Sequence, residues 1–171
     1  MKIFSNIFLI LLLAVVLNGC EKDDLCTTDQ AVTPRLVIEF RDVLNPLDFK
    51  AVDQIQVQEI GSTEPAPLDS NNSTILTDVE TISIPLRTDS NRTSYDFILT
   101  EDGAINSDNI DFNYIIEEEY VSRACGFRVI YNNLVAVLTS ETRGTQWINS
   151  TVIVENEITN DTQDIHVQIL H

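Results

Sequence analysis

Apolar and polar residues alternate along most of the chain beyond residue 34. In residues 35–41 the side chains of Leu36, Ile38 and Phe40 fall on one face, as the two-residue period of a strand requires. Comparable alternation recurs at residues 54–60, 81–87, 94–100, 110–121, 127–131, 147–158 and 164–170. No stretch longer than a few residues follows the 3.6-residue period of an amphipathic helix. The pattern predicts an all-β protein.

Turn-forming residues separate the predicted strands. Residues 61–77 predict a long loop and residues 101–109 a turn region, while Pro85 lacks a ladder donor and indicates an edge strand. Residues 134–140 are apolar on both faces, which indicates a strand covered on both sides or a bend between sheets. About seven to eight such strands favour a single antiparallel β-sandwich with an immunoglobulin-like arrangement, and a small closed β-barrel is the alternative.

The beginning of the chain has a different pattern. Residues 7–17 are apolar without interruption, and Lys2 is the only charged residue before Glu21. This run is too short to cross a bilayer as a helix, which takes about 20 residues, and it is typical of a secretory signal peptide. Cleavage at some other small residue and an uncleaved anchor are the alternatives.

The sequence LNGC at residues 17–20 resembles the lipobox of bacterial lipoproteins. The resemblance implies cleavage before Cys20, a thioether link from Cys20 to diacylglycerol, and N-acylation. Two or three acyl chains hold a protein stably on a membrane, since each buried methylene contributes about 0.8 kcal/mol. The chain then divides into a signal peptide at residues 1–19, a tether at residues 20–33 and a β domain at residues 34–171.

Three charged residues, Lys22, Asp23 and Asp24, follow closely after Cys20. They resemble the signal of one lysine and an acidic pair that Bacteroidota lipoproteins use to reach the cell surface, and an ordinary solvated tether is the alternative. We expect a lipid-anchored protein of the outer membrane, either exposed at the cell surface or facing the periplasm. The expected partners are the membrane, through the lipid anchor, and an outer-membrane protein.

The chain is strongly acidic, with a formal net charge of −17 over 171 residues; loss of Lys2 with the signal peptide makes it −18. This charge argues against nucleic acid or anionic lipid headgroups as partners. It could suit basic partners or divalent cations. Residues 100–111 are rich in oxygen ligands but lack the register of an EF-hand loop, so an acidic loop is the favoured interpretation and calcium binding the lesser one.

Two cysteines remain once Cys20 is lipidated. Cys26 and Cys125 most simply form a disulfide in an oxidising envelope, and two buried free thiols are the alternative. Closing a loop of roughly 100 residues would cost the unfolded chain about 4.7 kcal/mol in the loop-entropy model. A metal site would need more ligands than these cysteines and isolated histidines supply.

Few residues suggest catalysis. His166 and His171 are the only histidines, and we expect His166 to be a solvated strand residue. Residues 117–119 are three glutamates that fit a water-exposed strand end better than a pair of glycosidase carboxylates. Trp147 is expected in the core, with a ligand-anchoring role as the alternative. The sequence has no Gly-rich phosphate loop, so we expect neither an enzyme nor a bound cofactor.

Four segments together resemble a family of uncharacterised Bacteroidota lipoproteins, whose domain has no known function. They are CEKDDLC at residues 20–26, TPRLVIEFRD at 33–42, YVSRACGFRVIYNNL at 120–134 and HVQILH at 166–171. In that family a second cysteine follows the lipidated one and a third lies in the ACG element. The resemblance therefore implies a bond between Cys26 and Cys125, together with the fold and the address, but no activity.

These observations favour a non-enzymatic accessory module that binds another protein, with Ser122 and Arg123 as the candidate interaction residues. The alternative for this block is that it only positions Cys125 and packs Phe127. A module that binds glycan or peptide is a second hypothesis, and a calcium-binding module is a third. Glycan binding would need an exposed aromatic platform, and we expect most aromatic side chains to point inward, namely Phe40, Phe97, Phe112 and Phe127.

Overall fold

A computed structural model describes residue 26 and residues 32–139, 146–159 and 164–171. The predicted signal peptide, the lipidation site Cys20 and the export residues Lys22, Asp23 and Asp24 lie outside the described residues.

The described residues form nine β-strands and no helix, which confirms the all-β prediction with slightly more strands than expected. The strands are β1 (Leu36–Arg41), β2 (Val52–Glu59), β3 (Ile75–Val79), β4 (Thr81–Ile84), β5 (Arg92–Glu101), β6 (Ala104–Ser122), β7 (Gly126–Thr139), β8 (Ser150–Ile153) and β9 (Val167–Leu170).

The strands are arranged in two sheets. One has four strands in the order β4-β1-β9-β8, and the other has five in the order β3-β2-β5-β6-β7. Neighbouring strands are antiparallel except β1 and β9, which pair in parallel with Ile38 opposite Val167. A purely antiparallel arrangement was expected. The last strand, β9, lies between β1 and β8; it is parallel to β1 and antiparallel to β8.

One hydrophobic core receives side chains from both sheets. Leu36, Ile38 and Phe40 of β1 are fully buried, as the alternation predicts, and they belong to the same cluster as the inward residues of β2, β5 and β6. The prediction of an edge strand before Pro85 is also confirmed, because β4 is the first strand of its sheet and ends at Ile84. The alternating pattern therefore located the core-facing residues of these strands correctly.

Two predicted loops contain strands. The expected long loop, residues 61–77, ends inside β3 (Ile75–Val79), which pairs with β2. The expected turn region at residues 101–109 is a tight hairpin at Asp102 and Gly103, followed at once by β6. Both turn residues have positive φ, 50° and 80°, as the connecting pair of a type I′ turn requires. Most of the candidate calcium segment is therefore paired strand and not an acidic loop.

The second half of β7 is also more exposed than expected. Residues 134–140 were expected to be a strand covered on both sides or a bend between sheets. β7 is instead the last strand of the five-stranded sheet, and Val135 and Val137 are about half exposed on its outer face. Leu134 is the buried residue of this segment.

Candidate functional site

The hairpin of β6 and β7 extends beyond the body of the molecule. The last residue of β6 that pairs with β5 is Asn113, opposite Arg92. Beyond it, β6 continues to Ser122, and in the described residues its only strand partner there is β7. We call residues 115–132 the hairpin arm; its base still contacts the body, because Tyr131 is fully buried and pairs with Ile158. At its base Asn133 has a φ of 56° and the register shifts, so that a β-bulge lies where the arm leaves the body.

A disulfide between Cys26 and Cys125 lies at the tip of the hairpin arm, with Cα atoms 4.9 Å apart. The turn between Ser122 and Gly126 holds Cys125, whose backbone N–H donates to Ser122 Oγ at 3.1 Å. Arg123 is exposed. The two candidate interaction residues thus differ, because the hydroxyl of Ser122 supports the turn whereas Arg123 faces solvent.

Two exposed aromatic rings lie beside the turn. Tyr120 and Phe127 are directly opposite each other in the ladder, with centroids 5.4 Å apart and planes at 67°. They are 56% and 65% exposed. Glu119 and Arg128, the next pair along the hairpin arm, form an ion pair at 2.6 Å. The tip is therefore a small aromatic surface backed by a paired acid and base.

The exposure of Phe127 contradicts the expectation that it packs inward. Phe127, Val129 and Tyr131 do share one face of β7, as the alternation predicts. Burial falls along that face, from the fully buried Tyr131 through the partly buried Val129 to the exposed Phe127. The prediction was wrong because the hairpin arm reaches past the core that covers this face.

The opposite end of the molecule carries the loop between β1 and β2, residues 42–51, which we call the distal loop. Its apolar side chains Leu44 and Leu47 are 92% and 85% exposed. The backbone between them is held by hydrogen bonds, because Leu44 N–H donates to Asp42 Oδ1 at 2.6 Å and Arg41 Nη1 donates to the Leu47 carbonyl at 2.6 Å. The distal loop therefore presents two leucines on an ordered backbone.

A pocket of about 230 Å³ lies next to the distal loop, lined among others by Lys50, Leu99, Glu101, Trp147 and His171. The indole N–H of Trp147 donates to the Phe97 carbonyl at 3.0 Å, and the ring is partly buried against the core. The ammonium of Lys50 donates to the His171 carbonyl at 3.0 Å. Both of these polar groups donate hydrogen bonds to backbone carbonyls.

The two histidines have separate contacts, His166 with β1 and His171 with the rings of Phe40 and Trp147. His166 is buried and not solvated, which corrects the sequence-based expectation; its Nδ1 accepts from Val37 N–H at 3.0 Å, and burial lowers its pKa. Burial also lowers the pKa of His171, although its ring contacts the Lys50 carbonyl at 3.1 Å. His166 tethers β1 to the segment before β9, while His171 packs edge-on against Phe40 and Trp147.

The candidate calcium segment contains a buried carboxyl group. Asp108 of β6 is fully buried, and its Oδ2 accepts from Ile148 N–H at 2.6 Å. Burial raises the pKa of Asp108, and hydrogen bonds from the backbone of Ile148 and Trp147 oppose that shift. This carboxyl fixes the segment before β8. Among the described residues no group of three or more His, Cys, Asp or Glu side chains could hold a metal ion.

The three glutamates at residues 117–119 lie on β6 within the hairpin arm, as the strand interpretation predicts. Glu117 accepts from Asn132 Nδ2 at 2.8 Å and Glu119 pairs with Arg128. Side chains of the neighbouring strand therefore hold Glu117 and Glu119 in place.

In the part of the chain that the structure describes, no helix is long and apolar enough to span a membrane.

Sequence reasoning missed three of the exposed apolar residues, namely Leu44, Leu47 and Tyr120. The pair Asn45-Pro46 between the leucines is a turn signal, and two large apolar residues beside a turn could have marked an exposed surface. Tyr120 carries no such signal, because its alternation continues that of buried residues earlier in β6.

The geometry defines a class of protein: an all-β chain of two sheets with an ordered apolar loop at one end and a disulfide-held hairpin arm at the other. By sequence, the chain belongs to a family of unknown function (DUF6452), whose sequence model matches residues 60–171. The match includes β3 to β9 and hence both strands of the hairpin arm, whereas the distal loop precedes it. No curated protein and no solved structure matches the chain.

Proposed function

We propose that this protein is an outer-membrane-anchored lipoprotein that acts as a non-enzymatic accessory module and binds a protein partner through the distal loop. The lipobox at residues 17–20 and the resemblance to Bacteroidota lipoproteins support the anchor. Lys22, Asp23 and Asp24 support exposure at the cell surface, with the periplasmic face as the alternative.

The observation that carries the proposed binding is the pair of leucines on the distal loop. Burying a leucine side chain contributes about 1.5–3 kcal/mol, and Leu44 and Leu47 together offer one of the most exposed apolar surfaces on the described residues. Because hydrogen bonds already fix the loop backbone, less conformational entropy is lost on binding. Preorganised apolar anchors of this kind are the usual centres of protein interfaces.

Charge around the distal loop indicates the chemistry of the partner. Asp42 and Asp48 lie on the loop itself, and Glu101 and Asp102 lie on the neighbouring hairpin. The cations nearby are engaged, since Arg41 pairs with Glu39 and lies 3.8 Å from the ring centroid of Phe49. The complementary partner has an apolar pocket with a basic rim, as an outer-membrane protein could supply.

We further interpret the two sheets as the layers of a β-sandwich, since one hydrophobic core receives side chains from both. An immunoglobulin-like connection of the strands stays a prediction. The parallel pairing of β1 with β9 departs from the antiparallel sandwich that this prediction assumed.

Glycan or peptide binding receives less support. A sugar-binding platform needs exposed rings that offer a common plane, and the rings of Tyr120 and Phe127 are inclined at 67°. The partner-binding proposal rests on Leu44 and Leu47 and not on these rings.

The test is purification of the tagged protein from native membranes in mild detergent, with cross-linking and mass spectrometry of what accompanies it. We expect stoichiometric recovery of one envelope protein with wild type, and loss of that protein with Leu44→Ser/Leu47→Ser. The matched control is Val152→Ser/Val154→Ser, which removes two exposed apolar residues at and just beyond β8 and should retain the partner. Recovery of wild type alone, or full recovery with the leucine variant, would contradict the proposal.

A further inference from the structure

The disulfide controls how far the domain can move from its anchor. Leu36, the first residue of β1, is sixteen residues after Cys20, a distance that an extended chain spans in about 55 Å. Cys26 is only six residues after Cys20, which corresponds to at most about 20 Å of chain. Because Cys26 is bonded to Cys125, the short segment and not the long one limits the separation. A lipid on Cys20 would therefore hold the tip of the hairpin arm within about 20 Å of the membrane surface.

The long strand β6 gives the molecule two separated ends. Ile105 is near the start of β6, next to the hairpin turn at residues 102–103, and Tyr120 is near its end, in the hairpin arm. Fifteen residues of strand separate them, about 50 Å at the usual rise per residue. Lys50 of the distal loop and Glu101 line the same pocket, so the distal loop lies at the Ile105 end. A lipid on Cys20 thus leaves the distal loop as the remote end.

We propose that the tip of the hairpin arm rests on the phospholipid surface that holds Cys20, with Tyr120 and Phe127 as its interfacial contacts. This inference rests on the proposed lipidation of Cys20. It goes beyond the proposed function by assigning a lipid-facing end and an outward, partner-facing end to the domain.

The chemistry of the tip fits a lipid headgroup layer. Aromatic side chains, tyrosine above all with its apolar ring and polar hydroxyl, are enriched where hydrocarbon meets water. Tyr120 and Phe127 are both more than half exposed, and Arg123 in the adjoining turn can meet lipid phosphates. In water the same two rings would be an unexplained apolar surface.

The charges of the hairpin arm limit the depth of contact. Glu117 and Glu118 lie on β6 a few residues before the tip and are exposed, so entry into the hydrocarbon would strip water from their carboxylates at high cost. Glu119 is paired with Arg128, the ladder neighbour of the aromatic pair. The geometry allows the two rings and the turn to enter the headgroup region while the rest of the hairpin arm stays in water. A net-neutral membrane surface suits an acidic chain better than an anionic one.

The experiment uses the full lipidated protein in vesicles of phosphatidylethanolamine and brominated phosphatidylcholine, in which bromine quenches tryptophan on contact. Trp147 is the only tryptophan and lines the pocket next to the distal loop, so the wild-type protein measures quenching at the end remote from the hairpin arm. We expect little quenching of wild type. Phe127→Trp should lose about half of its emission, since one of its two indoles then lies at the interface. Ile105→Trp, an equally exposed position at the other end of β6, should behave like wild type.

A second variant tests the role of the disulfide in the Phe127→Trp background. In Phe127→Trp/Cys26→Ser/Cys125→Ser the tether lengthens, and quenching should decrease. Equal quenching of Phe127→Trp and Ile105→Trp would overturn the orientation, and so would an unquenched Trp at residue 127 that responds to added maltohexaose, which would assign the rings to a glycan. The intact mass of the purified protein separates the two proposals: a protein without diacylglycerol on Cys20 overturns the anchor itself, whereas a lipidated protein with equal quenching overturns only the orientation.

Discussion

His166 and Asp108 show how buried titratable side chains connect strands that are distant in sequence. His166 accepts a hydrogen bond from Val37 N–H on β1, and Asp108 accepts one from Ile148 N–H before β8. In each side chain a second polar atom, His166 Nε2 or Asp108 Oδ1, has no hydrogen-bond partner among the described residues. Burial disfavours the charged form of both, which lowers the pKa of His166 and raises that of Asp108. Their contributions to stability therefore depend on pH with opposite signs.

His166 should make the protein less stable in mild acid. Its pKa is lowered in the folded state, mainly by burial and despite the nearby charges of Glu155 and Asp164, so the unfolded chain binds the proton first. The free energy of unfolding should then fall as pH decreases through about 6.5, the ordinary histidine pKa. His166→Asn keeps an acceptor for Val37 N–H but does not titrate. In urea unfolding from about pH 8 to about pH 5, the free energy of unfolding of wild type should fall relative to that of the variant. A difference between the two proteins that stays constant with pH would contradict this.

Asp108 should have the opposite effect. Its pKa is raised in the folded state, so the folded protein binds the proton more tightly, and stability falls as pH rises from about 4. Compared with Asp108→Asn, wild type should therefore lose stability between mildly acidic and neutral pH. Asp108→Ala removes the acceptor of a buried N–H and should cost about 1–3 kcal/mol at any pH. Chemical unfolding of the three proteins side by side measures both effects, and Asn and Ala variants of equal stability would show that the hydrogen bond contributes nothing.

At the level of elements, the hairpin of β5 and β6 shows both the reach and the limit of sequence reasoning. β5 was predicted because Tyr95, Phe97 and Leu99 alternate with polar residues and all face the core. The start of β6, residues 104–109, was missed because its inward position at residue 108 carries an aspartate. That carboxyl is paired with Ile148 N–H, a contact with a residue 40 positions away that no local pattern contains.

The turn of this hairpin should be sensitive to glycine replacement. Gly103 has a φ of 80°, a conformation that costs an L-residue with a Cβ about 1–2 kcal/mol. Gly103→Ala should therefore lower the free energy of unfolding by roughly that amount although the added Cβ meets no atom within 4 Å. Asp102→Asn is the matched control, because asparagine also tolerates its φ of 50°. A Gly103→Ala protein as stable as wild type would contradict the assigned turn.

The hairpin arm marks a second limit of prediction. The alternation assigned Phe127 to the right face of β7, but whether a face is covered depends on how far the neighbouring sheet extends. β5 pairs with β6 only as far as Asn113, whereas β6 runs on to Ser122. The relative lengths of strands joined by distant pairings are set by tertiary structure. The cysteine pairing, in contrast, was predictable, because the proposed lipidation of Cys20 leaves only Cys26 and Cys125, and these two do lie at disulfide distance.

At the scale of the whole molecule, the two exposed apolar regions lie at opposite ends of β6, and the disulfide lies at only one of them. The hairpin arm carries Tyr120 and Phe127 at one end of β6, and the distal loop carries Leu44 and Leu47 at the other. If Cys20 carries the proposed lipid, the bond between Cys26 and Cys125 determines which end of the domain faces the membrane. The same bond joins residues that are 99 positions apart in the sequence, so it should also contribute to global stability.

Removal of the disulfide should destabilise the whole domain. Cys26→Ser/Cys125→Ser frees a loop of roughly 100 residues in the unfolded chain and should lower the free energy of unfolding by about 2–5 kcal/mol. Urea unfolding can be followed by the emission of Trp147. Trp147 lies beside the distal loop and Cys125 at the tip of the hairpin arm, so this signal reports the global effect and not a local one. Cys26→Ser alone should match the double variant, since either change removes the same bond.

Hydrogen exchange on the double variant separates global from local consequences of the disulfide. A two-stranded ribbon is marginally stable by itself, so the hairpin arm should open far more readily once the bond at its tip is gone. Amides of residues 115–132 should then lose more protection than those of β2 and β5, which lie inside the five-stranded sheet. A uniform loss of protection would mean that the bond acts only through the unfolded chain. In that case the hairpin arm would keep its shape without the bond, and the disulfide would stabilise the domain as a whole without holding the arm itself.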